Sequence, residues 1–306
     1  MEQETFRASR VLRLFGAAPQ AVRRAADALP GQTKQPLLAV QCRSKGAESL
    51  IALRAENEKA LQKAAQTLRA QFPAEVYAEG EQDLAAAVVQ ALCRHRVLLT
   101  SADAAAGALL GQRLQAVPQA ETVFDFGQMS YAEEHTAAQI DRVAHRRTRR
   151  AGELPLAVQR ARAARRLVGS DLGAACVERG ECVTVLLSSK KGCWLRTVRR
   201  EDAPALWLLD LIRRAACGLP QAEGTLWLRD RDPVPETAML PPEQGTEPAS
   251  LPRKRHRLRG LFAVLLLLAA LALAAAWYLT GGDLAALPQH LQHLPQELPG
   301  SGARLV

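Results

Sequence analysis

The sequence predicts an α/β fold: two α/β regions in succession, then a proline-rich linker and one transmembrane helix. Three observations carry this reading. Strand-like alternation and helical periodicity change places repeatedly between residues 6 and 218. Prolines crowd the stretch that follows, at Pro220, Pro233, Pro235, Pro241, Pro242, Pro248 and Pro252. Beyond them, Gly260 to Thr280 is an apolar run with no charge and no proline.

The elements follow in order. Arg10 to Phe15 alternates with period two, and Gly16 breaks it. Pro19 to Leu29 has the pattern of a short helix. Leu37 to Cys42 and Ser49 to Ala55 flank Lys45-Gly46-Ala47-Glu48, a hairpin pattern. Glu56 to Gln71 is a helix and Val76-Tyr77 a short strand. The order β-α-β-β-α-β predicts a small two-layer domain over residues 1–80. A longer α/β region spans 81–218. Asp83 to His95 and Ala104 to Leu114 are helical, with Val97 to Thr100 strand-like between them. Glu153 to Val168, Ala175 to Val177 and Val183 to Leu187 continue the region, and a helix from Ala203 to Cys217 closes it. Residues 219–259 form the proline-rich and basic linker, 260–280 the membrane helix and 281–306 an extracytoplasmic tail.

A helix over 260–280 is long enough for a hydrocarbon core of about 30 Å, and Trp277 and Tyr278 suit an interface. Arg253, Lys254, Arg255, Arg257 and Arg259 precede it, while the tail carries Asp283, Glu297 and Arg304. The positive-inside rule then predicts a single-pass protein of the cytoplasmic membrane, with its N-terminal domains in the cytosol. The same cluster is a candidate contact for anionic lipid. Its five cations supply more than half of the formal charge of +9, so the basic balance does not by itself imply nucleic acid. The six cysteines show no CxxC spacing, and a cytosolic setting disfavours disulfides. No metal or cofactor is expected.

Several stretches carry a resemblance. Val97 to Leu110 (VLLTSADAAAGALL), Arg113-Leu114, Val117-Pro118, Val123-Phe124, Gly127 to Ala132 (GQMSYA), Gly169 to Leu172 and Ala205 to Arg214 resemble, in that order, the C-terminal domain of the CinA family, the competence/damage-inducible proteins of bacteria. Residues 6–80 resemble the KH-like domain that precedes it in that family, through Arg10 to Gly16 and Val76 to Gly80. The resemblance implies an amide hydrolase that converts nicotinamide mononucleotide to nicotinic acid mononucleotide and ammonia. It also implies a pyridine nucleotide as candidate ligand and a homo-oligomer. Family members carry a serine nucleophile in an Ala-Glu-Ser-Cys-Thr-Gly-Gly motif, a Tyr-Ser-Asn-Glu-x-Lys motif, and a Thr-Gly-Ile-Ala-Gly-Pro loop that shapes the nucleotide pocket.

These motif positions have been emptied here. The first reads Ala102-Asp103-Ala104-Ala105-Ala106-Gly107-Ala108, so Ala104 stands at the nucleophile and Ala106 at the threonine. The second keeps Tyr131 but has Thr136 in the lysine's place. The third becomes Val177-Glu178-Arg179-Gly180 with a shortened loop. An alanine has no lone pair to attack an amide, and a threonine offers no amine to activate one. The expectation is a catalytically inactive amidase-like domain acting as scaffold or ligand sensor. A residual nicotinamide mononucleotide amidohydrolase is the first alternative, and a basic nucleic-acid-binding adaptor the second.

Asp103 is expected to cap the helix that Ala104 begins, and Tyr131 to sit half-buried in a turn. His135, beside Glu133 and Glu134, reads as a solvated helix start rather than a metal ligand. Ser188 to Gly192 reads as a hairpin turn, since it lacks P-loop spacing. The basic runs Arg142 to Arg150 and Arg160 to Arg166 read as solvated helical faces, with anionic lipid or nucleic acid as the alternative. Residues 1–80 contain no GXXG loop, so nucleic acid is not an expected partner.

Overall fold

The computed structural model describes residues 8–33, 38–148, 152–229 and 232–234. The chain divides into the units Met1–Thr246 and Glu247–Val306, and every described residue lies in the first.

Strand β1 (Ala8–Phe15) alternates as its sequence requires, with Leu12 and Leu14 buried. Helix α1 (Pro19–Thr33) begins on a proline, whose fixed φ suits a first helical position, and continues past Pro30. Strands β2 (Leu38–Lys45) and β3 (Glu48–Ala55) form the expected hairpin, closed by Gly46 (φ +58°) and Ala47. The Asn57 side chain caps α2 (Glu58–Gln71) by accepting from the Ala60 N–H at 2.8 Å. Strand β4 (Val76–Glu79) completes an antiparallel sheet of order β2-β3-β1-β4. This is a split β-α-β arrangement. Leu12, Leu14, Ile51 and Leu53 from the sheet share one core with Val22, Ala26 and Leu29 of α1 and Leu61, Ala64 and Leu68 of α2. Both helices therefore cover the same face.

The second sheet is covered on both sides. Its elements are α3 (Leu84–His95), β5 (Leu99–Ser101), α4 (Ala104–Leu114), α5 (Glu134–Arg147), α6 (Glu153–Val168), β6 (Leu172–Arg179), β7 (Cys182–Ser188), β8 (Cys193–Arg199), α7 (Pro204–Cys217) and β9 (Leu226–Leu228). The strand order is β5-β6-β7-β8-β9, parallel between β5 and β6 and antiparallel elsewhere. Leu99, Leu172, Ala174, Val185 and Leu187 form one core with α3, α4 and α7. Ala175, Val177, Leu186 and Leu195 form another with α5 and α6. Helix α6 rests directly on β6: a Cβ at Gly173 would lie 2.4 Å from the Ala161 carbonyl oxygen.

The two sheets are joined by a buried ionic network on α7. Asp210, Arg213 and Arg214 are 1%, 4% and 1% exposed. Arg213 Nη2 and Arg214 Nε each donate to the Asp210 carboxylate at 2.6 Å. Their remaining donors reach the other half of the molecule: Arg213 Nη2 to the Ala74 carbonyl at 2.5 Å, and Arg214 Nη2 to the Phe15 carbonyl at 3.2 Å. Phe15 meets Trp207 edge to face at 4.8 Å, and the Arg196 guanidinium lies 3.5 Å from the Trp207 ring centre. Burial lowers the Arg196 pKa to about 10. The group still carries its charge at neutral pH, which keeps the cation–π contact intact.

One prediction needs correction. Among the described residues no helix is long and apolar enough to cross a membrane. The longest, α6, has 16 residues, or about 24 Å of rise, and bears Arg160, Arg162, Arg165 and Arg166. The described residues therefore form a mixed α/β fold with two sheets, and none of their helices is long and apolar enough to span a membrane. The single-pass location at the cytoplasmic membrane is not supported. The run 260–280, the cluster from Arg253 to Arg259 and the tail lie outside the described residues.

Other differences are local. Strand β8 follows the 188–192 turn and was not anticipated. Strand β9 falls inside the stretch read as linker, where Trp227 packs against Trp194 of β8, ring centres 4.5 Å apart and planes tilted by 47°. That aromatic pair and three register positions hold a segment whose composition alone looks irregular.

Candidate functional site

The polypeptide leaves β5 at Ser101 and turns into α4, and the residues at this junction form the candidate site. Asp103 is the N-cap, with extended backbone (φ −149°, ψ 161°). Its Oδ1 accepts from the Ala106 N–H at 2.8 Å, and its Oδ2 from the Cys176 N–H on β6 at 3.1 Å. The carboxylate therefore ties the helix start to the neighbouring strand. Burial nevertheless raises its pKa above the ordinary carboxylate value, against the lowering effect of those two N–H donors. Ala104 opens the helix with its methyl group exposed, and Ala106 is buried in the core beneath.

Tyr131 comes to the same place from the loop before α5. Its ring is clamped between two glycines. A Cβ at Gly107 on α4 would lie 2.3 Å from its hydroxyl, and one at Gly127 would lie 2.4 Å from the ring. Gly127 also adopts φ +84°, a conformation that side chains resist. Burial raises the Tyr131 pKa first, and the charges of Asp125 and Asp103 raise it further. Asp125 is itself fixed by the Thr100 hydroxyl and the Met129 N–H, each at 3.3 Å. The hydroxyls of Ser101 and Ser130 are buried without a hydrogen-bond partner among the described residues.

Thr136 lies elsewhere in role. It occupies the first turn of α5, where Glu133 is the N-cap and accepts from the His135 and Thr136 N–H groups at 3.0 and 2.6 Å. The side-chain hydrogen bond with Thr136 is the main reason the Glu133 pKa is lowered. His135 Nε2 lies 2.7 Å from the Gln139 amide. No group of three or more His, Cys, Asp and Glu side chains among the described residues is placed to hold a metal ion. The third motif position is a tight hairpin. Arg179 pairs with Cys182 across Gly180 (φ +58°) and Glu181, and Glu178 is held by Arg200 at 2.7 Å.

This geometry brings Asp103, Ala104, Ala106 and Tyr131 to one junction and leaves Thr136 in a helix cap. Sequence reasoning missed Asp125, Gly107 and Cys176. The glycine had a readable signal, since a glycine within the first turns of a predicted helix marks a close approach. Cys176 had none, because a strand cysteine reads as a small apolar residue. Its thiol pKa is raised to about 12, by burial first and by Asp103 second, so it is not a thiolate at neutral pH. The junction therefore presents the Asp103 carboxyl and the Tyr131 phenol, together with the buried hydroxyl of Ser101 at the end of β5.

The class these observations define is a mixed α/β protein with a split β-α-β sheet and a second, two-sided sheet. No family model matches the chain, and no curated protein matches it. Among solved structures, it is similar to a competence-damaged protein (CinA) superfamily protein from Escherichia coli. The identity is 16% and the TM-score 0.32, over 44% of this chain and 88% of that one. It is also similar to a formyltetrahydrofolate deformylase from Burkholderia mallei. There the identity is 12% and the TM-score 0.17, over 68% of this chain and 92% of that one. Both TM-scores fall below 0.5, so neither likeness fixes an activity.

Proposed function

We propose that residues 81–218 are a catalytically silent amidase-like domain that serves as a ligand sensor or scaffold. One observation carries the reading. At the start of α4, where the resembling enzymes place a nucleophilic hydroxyl, this chain has the exposed methyl group of Ala104. The nearest acid, Asp103, has both carboxylate oxygens engaged by backbone N–H groups. A general base must reach the proton it abstracts, and a carboxylate committed to a helix cap and a strand is poorly free to do so. The compact 180–181 turn supports the same reading, because the loop that shapes the nucleotide pocket in resembling enzymes has no counterpart of similar length. Tyr131, pinned between Gly107 and Gly127, is the side chain best placed to meet a bound ligand.

The test uses the full-length protein and nicotinamide mononucleotide. Ammonia release is expected to stay at the buffer rate. Thermal unfolding in the same titration separates the two silent roles. A ligand at a hundredfold excess over its Kd stabilises the native state by about 2.7 kcal/mol. A concentration-dependent rise in Tm assigns a sensor, and no rise assigns a scaffold. Turnover above the buffer rate would overturn the proposal.

A further inference from the structure

The four-stranded sheet has one face that no helix covers among the described residues, and its side chains follow from the register. Cross-strand partners share a face. Leu12, Ile51 and Cys42 pair in one row and point into the helix core. The alternate rows face the other way. They are Ala39/Arg54/Ser9, Gln41/Ala52/Val11, Arg43/Leu50/Arg13 and Lys45/Glu48/Phe15. Packing against the second core touches this face at one corner, through Phe15, Ala47 and Tyr77. The rest is open: Arg43, Lys45, Arg54 and Gln41 are exposed, and Val11, Leu50 and Ala52 are half-buried.

The charge on this face is one-sided. It holds four cations, Arg13, Arg43, Lys45 and Arg54, against one carboxylate, Glu48. Glu48 is already engaged by the Tyr77 hydroxyl and lies 3.8 Å from Arg13. Arg43 and Arg54 have no ion-pair partner among the described residues. From the Arg54 row to the Lys45 row is six residues of strand, or about 20 Å. Arg13 and Arg43 lie two strands apart, at about 10 Å.

We propose that this open face binds single-stranded nucleic acid through its phosphates. An elongated stripe of separated cations suits a chain of regularly spaced anions better than one small anion. The alternative macromolecule, an acidic amphipathic helix, needs a groove with apolar anchors at helical spacing. The open part of this face is a pleated sheet with four apolar side chains, Val11, Ala39, Leu50 and Ala52, and it offers no such groove. The GXXG loop that residues 1–80 lack belongs to a different mode of recognition. A four-stranded sheet can carry a single strand on its free face. Platforms of that kind gain affinity and base preference from exposed aromatics. Here the aromatics beside the stripe are Phe15, which is buried, and Tyr77, which is half-buried and bonded to Glu48. Binding is therefore electrostatic, with little base preference.

The probe is a fluorescein-labelled 12-nucleotide oligouridylate, followed by anisotropy with the full-length protein between 50 and 200 mM KCl. For single strands each neutralised phosphate contributes about −0.7 to the slope of log K against log salt. Replacing two cations, in Arg43→Gln with Arg54→Gln, is expected to make that slope shallower by about 1.4 and to weaken binding at least tenfold at 50 mM. An oligoadenylate of the same length is expected to bind within about threefold of the oligouridylate. An unchanged slope and affinity in the double variant, with an unchanged melting curve, would overturn the proposal and place any binding elsewhere in the chain. Poly-L-glutamate displacing the labelled strand more effectively than unlabelled oligouridylate at equal charge concentration would overturn it in favour of an acidic protein partner.

Discussion

The two sheets of this protein solve the same packing problem differently. The four-stranded sheet buries one face under α1 and α2, so its central strand β3 alternates between buried and open positions. The five-stranded sheet is buried on both faces, and six consecutive residues of β6, Leu172 to Val177, are buried. In the two-sided sheet polar groups are buried, and one left unpaired, such as the Ser101 hydroxyl, costs stability. In the one-sided sheet, cations can stand free in solvent. The comparison teaches where substitutions will be expensive and where they will be cheap, and it separates positions kept for structure from positions free for binding.

Replacing Asp210 with Ala should have the largest effect. It leaves Arg213 buried without a carboxylate and Arg214 with only the Glu75 carboxylate at 3.4 Å, at a cost of about 3–5 kcal/mol. Chemical denaturation of the full-length protein checks this, and a loss below about 1 kcal/mol would mean that water replaces the carboxylate.

The next effect lies at the candidate site. Gly107→Ala drives a methyl group into the Tyr131 ring, at a cost of about 1–3 kcal/mol for overpacking. In a Tyr131→Ala background the obstacle is gone. The same substitution should then stabilise by up to about 1 kcal/mol, the ordinary gain of Ala over Gly in a helix. A sign that fails to reverse would break the clamp described for Tyr131.

Asp103→Asn should cost about 1–3 kcal/mol, since an asparagine can still cap α4 but turns an amide donor towards the Cys176 N–H and leaves it without its acceptor. It also changes the pH dependence. The Asp103 pKa is raised above 3.8 in the folded protein, so its titration favours the native state at low pH. That contribution is fully present below 3.8 and is lost as pH rises through the folded-state pKa. The variant lacks this loss, so its deficit relative to wild type should shrink as pH rises through the same window. Urea melts at several pH values measure it.

The smallest effect on stability belongs to the open face. Arg43→Gln and Arg54→Gln should each stay within about 0.5 kcal/mol of wild type, because both side chains are exposed. A larger loss would mean that this face is covered after all.

Much of the fold was legible in the sequence because one-sided elements carry their own period. Leu12, Leu14, Ile51 and Leu53 alternate, and the Lys45–Glu48 hairpin and the caps at Asn57, Asp83 and Asp103 use residues that favour those roles. Strands β8 and β9 were harder to read. Cys193 to Arg199 mixes charged and apolar residues because Arg196 lies buried against Trp207, a tertiary contact that no local pattern encodes. At the site, the losses at Ala104 and Thr136 were visible residue by residue. The double use of Asp103, which joins positions 73 residues apart, was not. The apolar run at 260–280 lies outside the described residues, none of whose helices is long and apolar enough to cross a membrane.

The central claim is that the Ala104 junction is silent. Ammonia released from nicotinamide mononucleotide by the full-length protein, measured beside Asp103→Asn, tests it most directly. The account predicts the buffer rate for both proteins. Turnover by the wild type that disappears in Asp103→Asn would contradict it and make Asp103 a working base.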